Sequence, residues 1–151
     1  MKKQALRAIA MLISIIVFAY VTAIASNAQS RGRELRADIP FDFVVGDKTL
    51  AAGKYSVDQF PTGPGNGILV RSRNGGHSAV RLTDLLESNA PKEKTTLTFH
   101  RYGNMYFLAQ VWIAGSKEGR ELIMSKAERS ADRELAQNSR PEIVTIIAAV
   151  E

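Results

Sequence analysis

The chain has no cysteine among its 151 residues. That excludes a disulfide framework, thiolate metal ligands and lipid attachment through cysteine, so packing alone must stabilise the fold. Histidine is nearly as scarce. Only His77 and His100 occur, and neither sits in the H-x-H or H-E-x-x-H spacing that would seed a metal centre. The serines form no G-x-S-x-G elbow and no S-x-x-K set. Gly63, Gly65 and Gly67 lack the Gly-Lys-Ser/Thr ending and the following helix of a phosphate loop. No metal, cofactor or catalytic set is expected.

An excess of charge is also missing from most of the chain. The net charge of +5 includes Lys2, Lys3 and Arg7, which precede an uncharged apolar run from Ala8 to Ala25 and the small residues Ser26 and Ala28. That order is a secretory signal peptide over residues 1–28, cut after Ala28. The run also reaches the length of a membrane-spanning helix, so an uncleaved anchor is the alternative. From Gln29 onward, 17 Lys and Arg face 15 Asp and Glu. A near-neutral exported chain is a poor nucleic-acid binder. The expected location is periplasmic or secreted, with membrane contact only through an uncut signal segment.

The remaining residues suffice for one domain with a single core. Residues 29–36, "QSRGRELR", are polar and read as a flexible arm, which leaves 37–151 as a β-domain. In "ADIPFDFVV", Ile39, Phe41, Phe43 and Val45 alternate with mostly polar neighbours, which predicts one half-buried strand whose Pro40 belongs at a sheet edge. "GDK" is a turn, "TLAAG" a connection, and "KYSVDQF" a strand with Tyr55 and Val57 on one face. "PTGPGNG" (61–67) is a loop by composition.

Asn74-Gly75 predicts a two-residue type I′ hairpin pairing Arg71 with Ser78 and Leu69 with Val80. Gly103-Asn104 predicts a second, type II′, hairpin. It would put Leu97, Phe99, Leu108 and Trp112 on one face and Tyr102, Met105, Phe107 and Val111 on the other, with His100 opposite Phe107. Both faces are apolar, so this hairpin should be covered on both sides. Ser125-x-x-Glu128 is a capping box for a helix whose stripe is Ala127, Ala131 and Leu135, ended by Asn138 and Pro141. "EIVTIIAAV" reads as one closing interior strand. The expected fold is mainly β, a single antiparallel β-sandwich or small β-barrel with one C-terminal helix before the last strand.

Several residues invite a chemical reading beside a plainer one. His77 flanks a turn and reads as exposed. His100, with Tyr102, is a candidate buried polar site, most simply a strand histidine bonded to a local partner. Asp38 and Asp42, taken on one strand, stand about 13 Å apart, too far for a glycosidase pair. Arg71, Arg73 and Arg81 cluster around one hairpin as a weak anion-binding face or as a solvated face that discourages edge pairing.

"PFDFVVGDKTLAAGKYSV", with "TFHRYGNMYFLAQVW" and "GRELIMSKAER", resembles a group of short exported bacterial β-rich proteins carrying a PFxF–VGxKxLxAGxY pattern. The resemblance spans nearly the whole chain after the signal and implies membership without carrying over any catalytic or binding residue. Where that pattern usually has "TLPAG", Ala51 replaces proline. The functional expectation is a non-enzymatic exported β-domain, a structural or binding module whose partner is an envelope component. The alternative is a small β-barrel carrying an apolar ligand. An enzyme built on His100 would need an acidic partner from elsewhere in the chain.

Overall fold

The computed structural model describes residues 34–62, 65–135 and 140–151. The expected signal segment 1–28, the expected arm as far as residue 33, the centre of the expected 61–67 loop and the expected helix stop at Asn138 lie outside the described residues. None of the described helices is long and apolar enough to cross a membrane.

Among the described residues the chain is mainly β, with a single helix before the last strands. In order the elements are β1 (Leu35–Ile39), β2 (Phe43–Val45), β3 (Lys48–Leu50), β4 (Gly53–Thr62), β5 (Gly65–Ser72), β6 (Ser78–Glu87), β7 (Thr96–Tyr102), β8 (Met105–Trp112), β9 (Glu118–Leu122), α1 (Lys126–Leu135), β10 (Glu142–Ile147) and β11 (Ala149–Val150). The sheet runs β10-β7-β8-β9-β6-β5-β4-β1-β11, with β2 bridging β3 and β8 off that path. It does not close into a barrel. The chain itself steps from one end of the sheet to the other through Ala148, whose amide donates to the Thr95 carbonyl at 2.9 Å.

The opening motif is split in two. Pro40 has no N–H for a ladder, and β1 ends at Ile39 while β2 begins at Phe43. Asp42 sits in the intervening bend, where Oδ1 accepts the Ala52 amide at 2.8 Å. Asp38 and Asp42 therefore do not share a strand. Pairing also starts earlier than expected: Leu35 is fully buried and opposes Val57, so residues 35 and 36 belong to β1 and not to the arm. Phe41 and Phe43 stand edge-on to Phe99, ring centroids 5.2 Å and 5.6 Å away, and Tyr106 and Tyr55 pack in turn on Phe41 and Phe43. That cluster continues through Val57, Ile68, Val70, Leu97 and Val111, and it fills the interior.

Both hairpins keep their expected pairing at the turn but differ in detail. Arg71 opposes Ser78 and Leu69 opposes Val80. The connecting loop nevertheless has four residues: the Ser72 amide bonds the His77 carbonyl at 2.8 Å, and Gly75 and Gly76 both take positive φ. A four-residue loop centred on the same point leaves the cross-strand register unchanged. In the second hairpin Tyr102 opposes Met105, with Gly103 at φ +60°, and the register then slips between Thr98 and Phe99. The extra residue, Ala109, reverses the faces beyond it. Val111 enters the core and Trp112 goes to the outer face, the reverse of the expectation.

Three further expectations change. Gly65 and Gly67 lie in β5, and Pro61 opposes Asn66, so the 61–67 segment is largely hairpin ladder. The Phe60 ring lies over Gly67, where an added Cβ would stand 2.9 Å from Cζ. Helix α1 buries Glu128 and Ala131 while Ala127 faces solvent, because Tyr102 and Phe107 contact the turn containing Ala131. The closing segment is a terminal strand, not an interior one, with Ile143 60% and Ile147 62% exposed. Val144 and Ile146 pack on the core, and the other face of β10 is open.

Candidate functional site

One face of the β10-β7-β8-β9-β6 half of the sheet is consumed by the core. The opposite face has a different composition. Directly paired residues on neighbouring strands share a face, so the ladders can be followed sideways. Thr145 opposes Thr98, Thr98 opposes Gln110, Gln110 opposes Glu121, and Glu121 opposes Asp84. This polar row crosses five strands and, at the usual inter-strand spacing, spans about 19 Å. The neighbouring row is Ile147, Thr96, Trp112, Gly119 and Leu86. The Trp112 ring lies across Gly119, so close that a Cβ there would stand 2.5 Å from Cε3. Trp112 Nε1 donates to Gln110 Oε1 at 3.1 Å, and Gln110 Nε2 donates to Glu121 Oε1 at 3.3 Å. The indole and the polar row are thus one bonded array.

The Thr145–Thr98–Gln110 end forms the floor of an open groove of about 670 Å³, with Trp112 in its lining and the 88–94 segment as its wall. Backbone bonds brace that wall. Ser88 N donates to Lys117 O at 2.8 Å, Lys92 N to Ser116 O at 3.0 Å, and Gly115 N to Lys92 O at 2.8 Å. Lys92 then reaches back, placing Nζ 4.5 Å from the Trp112 ring centroid in a cation–π contact.

The Glu121–Asp84 end opens into a second cavity of about 300 Å³ beside the start of α1, where His100 and Glu128 also contribute to the lining. Ser125 caps the helix as its sequence predicts, with Glu128 N donating to Ser125 Oγ at 3.1 Å. The Glu128 side chain does something else. Its Oε1 meets His100 Nδ1 at 3.0 Å, with side chains 6% and 20% exposed respectively. Tyr102 stands edge-on to His100, ring centroids 6.4 Å apart, with Asp132, one turn further along α1, beside it.

Burial pushes the Tyr102 phenol up to about 12; the charges of Glu128 and Asp132 and the hydrogen bond to Asp132 add to the effect. Folding therefore favours the neutral phenol. The resulting stability is complete below the ordinary value near 10 and is lost as pH rises toward about 12. Tyrosinate absorbance should show this group ionising late and together with unfolding, and Tyr102→Phe should flatten the loss of stability over that window. An unchanged alkaline profile in the variant would place the phenol in solvent. Tyr55 is also shifted up, by burial and then by Asp42.

His100 and Tyr102 thus lie together as the sequence suggests, with α1 supplying Glu128 and Asp132 beside them. The capping box marks Glu128 in the sequence, but only as a cap. The three arginines are not brought onto one face. Arg71 and Arg73 are exposed, whereas Arg81 points to the other side of β6, its Nε bonding Ile123 O at 2.8 Å and Nη2 bonding Met124 O at 3.1 Å. His77 is exposed beside its loop. Among the described residues no three His, Asp or Glu side chains converge as metal ligands. The polar row escapes a reading along the chain because β9 inserts between β8 and β6, a non-local pairing. No protein family, curated protein or solved structure matches the chain.

Proposed function

We propose that the protein is an exported, non-enzymatic β-domain that serves as a binding module of the cell envelope or periplasm. Its contact surface would be the outer face of the β10-β7-β8-β9-β6 half of the sheet. The observation that carries this reading is the continuous polar row from Thr145 to Asp84, whose Thr145–Thr98–Gln110 part floors an open groove with a backbone-braced wall. Sites that fix a ligand's orientation are concave and combine a few convergent polar groups with an aromatic side chain, and they are held by rigid elements. A polar outer face that were merely solvated would need neither the wall nor the indole.

The His100–Glu128 pair already has a task, since it ties the first turn of α1 to β7. Export rests on the signal-peptide pattern of residues 1–28. The barrel-carrier alternative finds no support in an open sheet whose interior, among the described residues, is filled with side chains.

The test is native mass spectrometry of the full chain recovered from the envelope fraction of the cells that make it. Thr98→Trp, a bulky substitution in the groove floor, is carried in parallel. A co-purifying molecule present with the parent and lost with Thr98→Trp is the expected result. Equal retention by both proteins would remove the outer face from the reading, and recovery of the chain in the cytosol with its first 28 residues intact would remove export.

A further inference from the structure

We infer that the groove takes an extended glycan whose repeat carries a carboxylate, with Lys92 as the group that reads the charge. This rests on the proposed binding face and names its ligand. The floor consists of Thr145, Thr98 and Gln110. Hydroxyls and amides donate and accept equally well, the property needed to match a ligand whose own polar groups are hydroxyls and amides. The row crosses the strands instead of following one. An extended peptide would bind along a strand edge, whereas a chain laid over the face meets one polar side chain per strand spacing of about 4.8 Å. A bilayer is a poor fit for a polar floor. A polyphosphate, charged at every unit, would set a charge against Glu121 and Asp84, where a glycan charged only at alternate sugars can present a neutral one.

Charge sets the direction of the ligand. Lys92 and Lys94, with Glu93 between them, line the wall of the groove, whereas the carboxylates of Glu121 and Asp84 continue the row outside it and line the second cavity. A chain with an acidic sugar against Lys92 and a neutral sugar toward Glu121 matches both charges. Lys92 couples the two halves of recognition. Its ammonium is held over the Trp112 ring at 4.5 Å, and a sugar carboxylate competes for that ammonium with a charge-assisted bond, the stronger of the two contacts at an exposed site. Drawing Lys92 off the indole uncovers an aromatic face for the apolar side of a sugar ring.

Trp112 is the sole tryptophan of the chain, so intrinsic fluorescence reports this site directly. The full-length mature chain would be titrated with three probes. They are a tetrasaccharide alternating glucuronate with N-acetylglucosamine, a tetrasaccharide of N-acetylglucosamine alone, and monomeric glucuronate at matched carboxylate concentration. The expected result is a saturable change in Trp112 emission with the first probe. Affinity should weaken about tenfold for Lys92→Met, which keeps an unbranched chain over the indole while removing the charge. Far-UV circular dichroism and the urea midpoint establish that the variant is folded. Equal affinity for the neutral tetrasaccharide overturns the carboxylate assignment and leaves the binding face standing. An equal response to the monomer reduces the effect to ion binding and overturns the glycan. No emission change with any probe also overturns the inference, and the envelope recovery experiment then decides the broader reading by itself.

Discussion

Replacing His100 with leucine is expected to lower the unfolding free energy by about 3 kcal/mol, because it strands a charge and removes little packing. The Glu128 side chain is 6% exposed, and its Oε1 is 3.0 Å from His100 Nδ1. Tyr102 and Asp132 crowd the same side of the helix and provide no positive charge to replace the imidazole. In the variant Glu128 has two ways to respond. It can swing out and unwind the first turn of α1, or it can stay buried without the partner that His100 provides. His100→Leu with Glu128→Leu should recover most of the loss, since replacing both members of a buried pair by apolar groups is close to neutral. Urea unfolding of the four proteins of this cycle measures the coupling. A His100→Leu variant within about 0.5 kcal/mol of the parent would mean that water already satisfies Glu128 and that the pair does not secure the helix.

The same residues show where sequence reasoning reaches its limit. The pairing of the first hairpin follows from Asn74-Gly75 because the index sum depends only on where the turn is centred; loops of two and four residues about that centre give the same ladder. The second hairpin is legible only as far as Phe99 and Leu108. Beyond them Ala109 bulges, and a bulge leaves no mark on alternation when the residues on both faces are apolar or aromatic. Pro61 and the glycines of 61–67 look like a loop because composition registers turn propensity alone. What draws Gly67 into β5 is the Phe60 ring opposite it. Glu128 is visible as the third residue after a capping serine, and its local role holds for its amide. Its carboxylate goes to a strand 28 residues away in sequence. The mainly β class with one late helix is local information and survives intact. The binding face is not local, since it needs the lateral order of five strands.

Gly119→Val is the second large effect, with an expected loss of about 3 kcal/mol and a change in Trp112 emission. Two terms oppose each other. A β-branched residue in place of glycine reduces the freedom of the unfolded chain and suits a strand, a gain of about 0.5–1 kcal/mol. Against it, the first added atom would stand 2.5 Å from Trp112 Cε3, 2.6 Å from Cδ2 and 2.8 Å from Cζ3. Overpacking of that kind costs about 1–3 kcal/mol and more when the neighbour cannot move. Here the neighbour is held by its Nε1 bond to Gln110 and lies beneath Lys92. Phe60 over Gly67 is the internal comparison. It is also an aromatic ring laid across a paired glycine, an arrangement that repairs the weak point glycine leaves in a strand, but Phe60 is only half buried and its nearest atom is the ring tip. Gly67→Ala should therefore cost about 1 kcal/mol, as the ring swings away. Urea midpoints of the two variants would rank them in that order. The emission of the Gly119 variant should shift to the red as the indole is levered from the sheet into water, and with it the groove should lose its aromatic wall. A Gly119→Val protein with parental stability and unshifted emission would show that Trp112 leaves Gly119 at no cost, and would take the indole out of the binding face.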